Sequence, residues 1–222
     1  PFGSAGGAQI RIIAHQPSAS QWKWIERVIK HQSGVIIEPW YNNQLDGSYL
    51  FKIGANGAFV ETGLTHFFTD SQGRYRGTAL GPLSDTMPPE LKPFFFRAGG
   101  APDWIARTLK QLAKTLTKDL YAHGLTGNVG MDFMVIKTCD GQYKLRAPLE
   151  LNPRSTMGHV ARAIARPFGT RARGLWCLVT QQDLKLTGHP DFAALIESMQ
   201  AAIPHEFKGE PARLVRGVFC TT

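Results

Sequence analysis

In the stretch 149-LELNPRSTMG-158, Glu150 and Asn152 stand two residues apart, Pro153 follows, and Arg154 lies just beyond. Residues two apart on a strand point to the same face. A strand here would present a carboxylate and an amide oxygen side by side. The preceding strand, expected over 129–137, carries Asp132 and joins a second strand, expected over 142–151, across Asp140-Gly141. A strict two-residue turn sets Asp132 opposite Leu149. A three-residue loop, or a bulge near Pro148, is expected to shift the register by one and set Asp132 beside Glu150. Proline inside a strand favours such a bulge. Two carboxylates and one amide oxygen then converge. That donor set suits Mg²⁺, which prefers oxygen ligands and shares them with substrate phosphates. Arg154 can grip a phosphate or carboxylate through paired N–H bonds. The same acids would also serve as ordinary exposed residues on a surface hairpin, and the hairpin alone does not separate the two readings.

Two further stretches have chemical potential. Gly3, Ser4, Ala5, Gly6 and Gly7 form a small-residue turn ahead of an expected strand. Glycines let backbone N–H groups approach phosphate oxygens, although a flexible tail would read much the same. No Gly-Lys-Ser/Thr follows, and a strand rather than a helix comes next, so neither the P-loop nor the dinucleotide fingerprint applies. In 36-IIEPWYNNQLDGS-48 an apolar run meets Glu38, Pro39 and Trp40, then a polar connector containing Asp46. Backbone groups at Glu38 to Trp40 can pair with an adenine edge, and Asp46 with a ribose hydroxyl. A plain linker with Trp40 packed in a core is the alternative.

These residues need elements to position them. Strands are expected over 8–14, 35–40, 47–53 and 57–63, the last two around Asn56-Gly57, with the 35–40 strand buried. A helix is expected from Ser18, whose pairing with Gln21 has the form of a capping box. A second hairpin is expected over 65–69 and 74–78 around Gly73, and an irregular crossing over 79–101. Ile105, Leu109, Leu112, Leu116 and Leu120 recur at helical spacing and end at Gly124, which suits a helix C-terminus. Residues 158–180 read as helical first and mixed later, with a helix near 191–202 and a strand near 213–220. The whole is α+β with antiparallel hairpins, not an alternating βαβ chain.

In this order the elements resemble the ATP-grasp family. The resemblance rests on Gly3-Ser4-Ala5-Gly6-Gly7, Glu38-Pro39-Trp40, Asp132 and Glu150-Leu151-Asn152-Pro153-Arg154, and spans nearly the whole chain. It implies two α+β subdomains whose antiparallel sheets clasp ATP. Residues 1–40 would be the small glycine-loop subdomain, incomplete at its N-terminus, and 41–222 the larger metal- and nucleotide-binding one. It implies an ATP-dependent ligase using Mg²⁺ or Mn²⁺, which activates the carboxylate of a small molecule or peptide as an acyl phosphate for attack by an amine or similar nucleophile. Asp132, Glu150 and Asn152 would be metal ligands. Arg154 would steady the phosphoryl group or the substrate carboxylate. Lys52, His66 and Arg76 lie on the middle strands, each also readable as a surface residue, and Arg76 is the best second catalytic candidate among them. The family's lysine before the glycine loop and its N-terminal substrate domain have no counterpart here. The chain is therefore expected to be a fragment, with the missing segment as a partner.

Composition bounds these readings. The chain has 222 residues and is 43% hydrophobic, enough for a real core. No apolar run is long enough to span a membrane, and no signal peptide is visible. Cys139, Cys177 and Cys220 are far apart, so neither a zinc site nor a disulfide framework is indicated, and a cytoplasmic setting is expected. The net charge of +8 fits an anionic ligand such as a nucleotide or a nucleic acid, while charge alone favours a plain solvated basic face. Basic and aromatic residues are not interleaved in any compact stretch, which argues against a single-strand platform. A non-catalytic ATP-binding module, a basic nucleic-acid-binding domain and a metal-dependent hydrolase remain the alternatives.

Overall fold

At the centre lies β1 (Asn43–Ile53), whose residues alternate between two faces. Leu45, Tyr49, Phe51 and Ile53 line one face and are nearly inaccessible. Facing the other way, Ser48 and Leu50 are also buried, so the middle of this strand is covered on both sides. The computed structural model describes residues 10, 12, 16–71, 73–96, 103–169, 173–210 and 213–220.

β1 turns through Gly54–Gly57 into β2 (Phe59–Thr69), where Gly57 takes a left-handed φ of 77°. β2 returns as β3 (Tyr75–Leu80). The expected strands 57–63 and 65–69 are thus one strand. A register shift between Leu50 and Phe51 lies where Gly63, with φ 125°, faces Leu50. β4 (Gly127–Lys137) pairs with the other side of β1, and β5 (Tyr143–Asn152) pairs with β4. β6 (Gly174–Cys177) adds to β3. The result is an antiparallel six-stranded sheet in the order β5-β4-β1-β2-β3-β6.

The chain must travel from β3 back past β1 to start β4. It does so over one face. The crossing expected over 79–101, of which 97–101 lie outside the described residues, is less irregular than expected over 79–96, for it holds α2 (Leu83–Thr86) and α3 (Lys92–Phe96). Met87, Leu91 and Phe95 anchor it in the core. α4 (Trp104–Ala122) then lays Ile105, Leu109 and Ala113 against Tyr49, Phe51, Met131 and Phe133. That stripe is the i, i+4 pattern of a helix buried on one side. Gly124 follows with φ 81°, as its place after the helix requires.

The opposite face carries α5 (Met157–Ala165), which buries Gly158 and Ala161. A Cβ on Gly158 would lie 3.1 Å from Thr65 Oγ1 and 3.3 Å from Leu50 Cδ1, so only a small residue lets this helix lie so close. α6 (Gln181–Thr187), α7 (Phe192–Ala202) and a ribbon of β7 (Glu206–Lys208) and β8 (Arg213–Arg216) complete the described chain.

Near the N-terminus, α1 (Ala19–Gln32) has the expected capping box: Gln21 N donates to Ser18 Oγ at 3.3 Å, and Ser18 N donates to Gln21 Oε1 at 2.8 Å. The expected buried strand at 35–40 is not formed. Ile36 is 71% and Ile37 84% exposed. A strand needs a hydrogen-bonding neighbour, and none lies beside this segment among the described residues. Most of 8–14, which was to be a strand, lies outside them. Among the described residues no helix is long and apolar enough to cross a membrane.

Candidate functional site

The β4–β5 hairpin closes through Thr138–Gln142. Gly141 N donates to Thr138 O at 2.9 Å and Thr138 N to Gln142 O at 2.8 Å, with Gly141 at φ 81°. From this turn Lys137 pairs with Tyr143 and Met134 with Arg146. Continued unbroken, that register would set Asp132 against Pro148, so the loop moves the pairing away from Glu150 rather than towards it. The bulge reverses this. β5 spends two more residues than β4 between its next pairs, and Asp132 comes to lie opposite Glu150. Pro148 sits in that excess, where its missing N–H breaks no ladder bond.

Paired residues of an antiparallel ladder share a face. Glu150, Asp132, Ser48 and Thr65 are successive partners across β5, β4, β1 and β2, so they form one row on the α5 side of the sheet. Asn152 pairs with Gly130 one pleat away, and Asp46 lies one pleat away on β1. Asn152 is only 7% exposed. Its Nδ2 donates to Asp132 Oδ2 at 3.3 Å, and its Oδ1 accepts from Arg154 Nη2 at 3.0 Å. The backbone turns sharply at Pro153, with Arg154 N bonded to Asn152 O at 2.8 Å. Asp46 Oδ2 accepts from Thr69 Oγ1 at 3.1 Å.

Burial pushes the Asp132 carboxyl up to about 6, and the negative charges of Glu150 and Asp46 add to the rise. The Ser48 hydroxyl and the Arg154 guanidinium pull the other way without cancelling it. Asp46 is also raised, again chiefly by burial, against hydrogen bonds from Thr69 and Asn43. Acids that repel one another in a partly dry place are relieved by a cation.

The start of α5 walls this row. A Cβ on Gly130 would meet Thr156 Cγ2 at 2.8 Å and Ser48 Oγ at 3.4 Å. Thr156 caps α5 together with His159, whose Nδ1 accepts from Thr156 N at 3.2 Å. The loop from Asn152 to Thr156 is thereby pinned over the sheet.

Asp132, Glu150, Asn152 and Arg154 are thus brought together. Asp46 joins their edge instead of standing on a connector. Arg76 does not join them. It lies on β3, three strand steps from β4, or about 14 Å at ordinary strand spacing. Its Nη2 donates to both oxygens of Asp183 at 2.6 Å. His66 is buried on the α4 face, its ring 4.5 Å from that of Phe68. Lys52 is exposed, beyond Leu50 on the acid-bearing face. Glu38, Pro39 and Trp40 are exposed outside regular structure, Trp40 by 51%. Gly3, Ser4, Ala5, Gly6 and Gly7 lie outside the described residues. Ser48 and Thr156 went unnoticed in the sequence. The alternation of Asp46, Ser48 and Leu50 was a usable signal, but only once β1 is known to neighbour β4.

Among the described residues no three His, Cys, Asp or Glu side chains converge to hold a metal. The group here is two carboxylates, both oxygen donors, with the Asn152 amide beside them turned so that Nδ2 faces Asp132 and Oδ1 meets Arg154. That fits the one or two protein carboxylates Mg²⁺ takes when phosphates and water complete its shell. No protein-family description matches the chain, and no curated protein matches it significantly.

Proposed function

We propose that this chain is the nucleotide-binding part of an ATP- and Mg²⁺-dependent ligase of ATP-grasp type. It would activate a substrate carboxylate as an acyl phosphate, which an amine or similar nucleophile then attacks. One observation carries the reading: Asp132 faces Glu150 across β4 and β5, with buried Asn152 and exposed Arg154 at the same end of the pair. Burial chiefly, and the charge of Glu150 that the bulge sets against it, make the Asp132 carboxylate costly to ionise, a cost that a cation-binding role explains.

Asp132 and Glu150 would hold Mg²⁺ or Mn²⁺ through carboxylate oxygens, and Asn152 through Oδ1. The ion would supply charge neutralisation on the phosphates. Arg154 would bind the transferred phosphoryl group or the attacking carboxylate, since positioning and charge stabilisation do most of the work in such transfers. In the first step a carboxylate oxygen bonds to the γ-phosphorus of ATP and the bond to the β–γ bridging oxygen breaks, releasing ADP. In the second the nucleophile bonds to the acyl carbon, its proton is lost, and phosphate leaves. Glu38 to Trp40 and residues 3–7 are the candidates for adenine and phosphate contacts. Arg76, held by Asp183, favours a second reading in which the module binds ATP without transferring phosphate.

Thermal unfolding with and without Mg-ATP tests this, on the wild type and Glu150→Gln. A ligand at a hundred times its Kd adds about 2.7 kcal/mol, a rise of roughly 5–10 °C for a chain of this size. The expected result is a rise that requires Mg²⁺ and disappears in Glu150→Gln. A wild type indifferent to Mg-ATP, or a variant that responds equally, overturns the reading. Acyl phosphate trapping with hydroxylamine, against ATP hydrolysis alone, then separates ligase from hydrolase.

A further inference from the structure

Asn152 is more than nine-tenths buried, and both ends of its amide are in use. The NH₂ group faces the Asp132 carboxylate and the oxygen faces the Arg154 guanidinium. These neighbours dictate that orientation. Turned over, the amide would set oxygen against carboxylate and N–H against guanidinium. Yet a cation shared with Asp132 needs the opposite orientation, because it takes an amide through oxygen. Here the oxygen points to Arg154 instead.

We propose that the Asn152 amide is a latch between a cation subsite and an anion subsite. The proposal rests on reading Asp132, Glu150 and Asn152 as a cation site. Without the cation, Arg154 is parked on Asn152 Oδ1. When the cation arrives, the amide turns over, its oxygen leaves Arg154, and its NH₂ group offers the guanidinium nothing. Arg154 is then free to take an anionic group. Because Asn152 is only 7% exposed, its amide depends on these two neighbours, and the two arrangements compete. Each ligand therefore helps the other, and the help is reciprocal. The site would hold its reactive anion only once the cation is in place.

The test measures Mn²⁺ affinity without nucleotide, by electron paramagnetic resonance at fixed ionic strength. It compares the wild type, Arg154→Met, Asn152→Ala and the double variant, each checked for folding by circular dichroism. Should Asn152→Ala not fold, Asn152→Ser takes its place. With Asn152 present, Arg154→Met is expected to bind Mn²⁺ about tenfold tighter, since no guanidinium competes for Oδ1. With Asn152 replaced, Arg154→Met is expected to change affinity by less than about twofold. An equal gain in both backgrounds means that Arg154 acts through charge alone. That result, or no gain in a protein whose wild type binds Mn²⁺, overturns the latch and leaves the cation site standing. No Mn²⁺ binding in any variant removes the cation site and the latch together. Inorganic phosphate and acetate, each titrated with and without Mn²⁺, then show which anion Arg154 takes. If Mn²⁺ improves neither in a way that Arg154→Met removes, the release step is wrong.

Discussion

Asp132→Asn is expected to make the protein more stable at neutral pH. Folding raises the Asp132 carboxyl from an ordinary 3.8 to about 6. The folded state therefore holds the proton more tightly than the unfolded chain does. Above pH 6 the group is ionised in both states, and the full penalty applies. Well below 3.8 it is protonated in both, and the penalty is gone; at pH 4 little of it remains. Between these limits stability rises as pH falls, the reverse of a salt-bridged acid. Each tenfold gain in proton affinity corresponds to about 1.4 kcal/mol, so the rise amounts to about 3 kcal/mol. Asparagine has nearly the same shape, keeps an oxygen for the Nδ2 of Asn152, and carries no charge. The variant should gain about 2–3 kcal/mol at pH 7.5, or about 5–10 °C in melting temperature. At pH 4 it should nearly match the wild type. Urea unfolding at both values measures it. An equal gain at both pH values, or a loss at pH 7.5, refutes the argument that Asp132 is held ionised at a cost. The same variant should lose its response to Mg-ATP, separating stability from binding in one molecule.

Two other substitutions probe how the site is held. Gly130→Ala adds a Cβ 2.8 Å from Thr156 Cγ2, and should cost about 1–3 kcal/mol in urea unfolding by displacing the start of α5; an unchanged midpoint would mean that this contact is loose. Asp183 both grips Arg76 and accepts from Thr180 N and Oγ1, and these bonds hold its carboxyl at about 2. Its contribution is full above pH 4 and is lost as pH falls towards 2, and Asp183→Asn should remove less than about 1 kcal/mol because the pair is partly solvated. A melting temperature unchanged at pH 7 and at pH 3 would show the pair to be idle.

Features that depend on a few neighbouring residues were legible in the sequence. The Ser18–Gln21 cap, the α4 stripe from Ile105 to Leu120, and the turns at Asn56-Gly57, Gly73 and Asp140-Gly141 stand where local chemistry put them. Features that depend on distant partners were not. The apolar run at 35–40 has strand composition but no strand beside it among the described residues. The expected strand ended at Gly63, yet β2 runs through it: Gly63 pairs with Leu50, and the register shift falls on Thr62. α2 and α3 are too short to display a helical period. At the site, alternation correctly put Glu150 and Asn152 on one face, and the proline correctly marked a bulge. Turn counting mistook the direction of the loop's shift, since the bulge supplies two residues where one was expected. That Asp46 and Ser48 adjoin Asp132 follows only from β1 lying beside β4, a contact made across some 80 residues of chain.

The two faces of the sheet divide the labour. On the α4 side Tyr49, Phe51, Met131 and Phe133 are buried among apolar neighbours, with only the Tyr49 hydroxyl needing a partner, which it finds in Glu61 at 2.7 Å. Burying such side chains contributes about 1.5–3 kcal/mol each. On the α5 side Asp132 and Asp46 are drawn partly out of water at a loss, with Asn152 and Ser48 buried beside them. A chain selected for stability alone would have no reason to spend two residues at Pro148 on bringing Glu150 against Asp132. Gly130, under Thr156, leaves the space that any other residue would take by pushing the loop away. The bulge brings the acids together, and the glycine lets the start of α5 lie close; both set the position of the Asn152–Arg154 turn relative to the acids. Under the proposed cation site, damage on the other face is silent for binding: variants on the α4 face should change melting temperature without changing Mn²⁺ affinity in the molecules that remain folded.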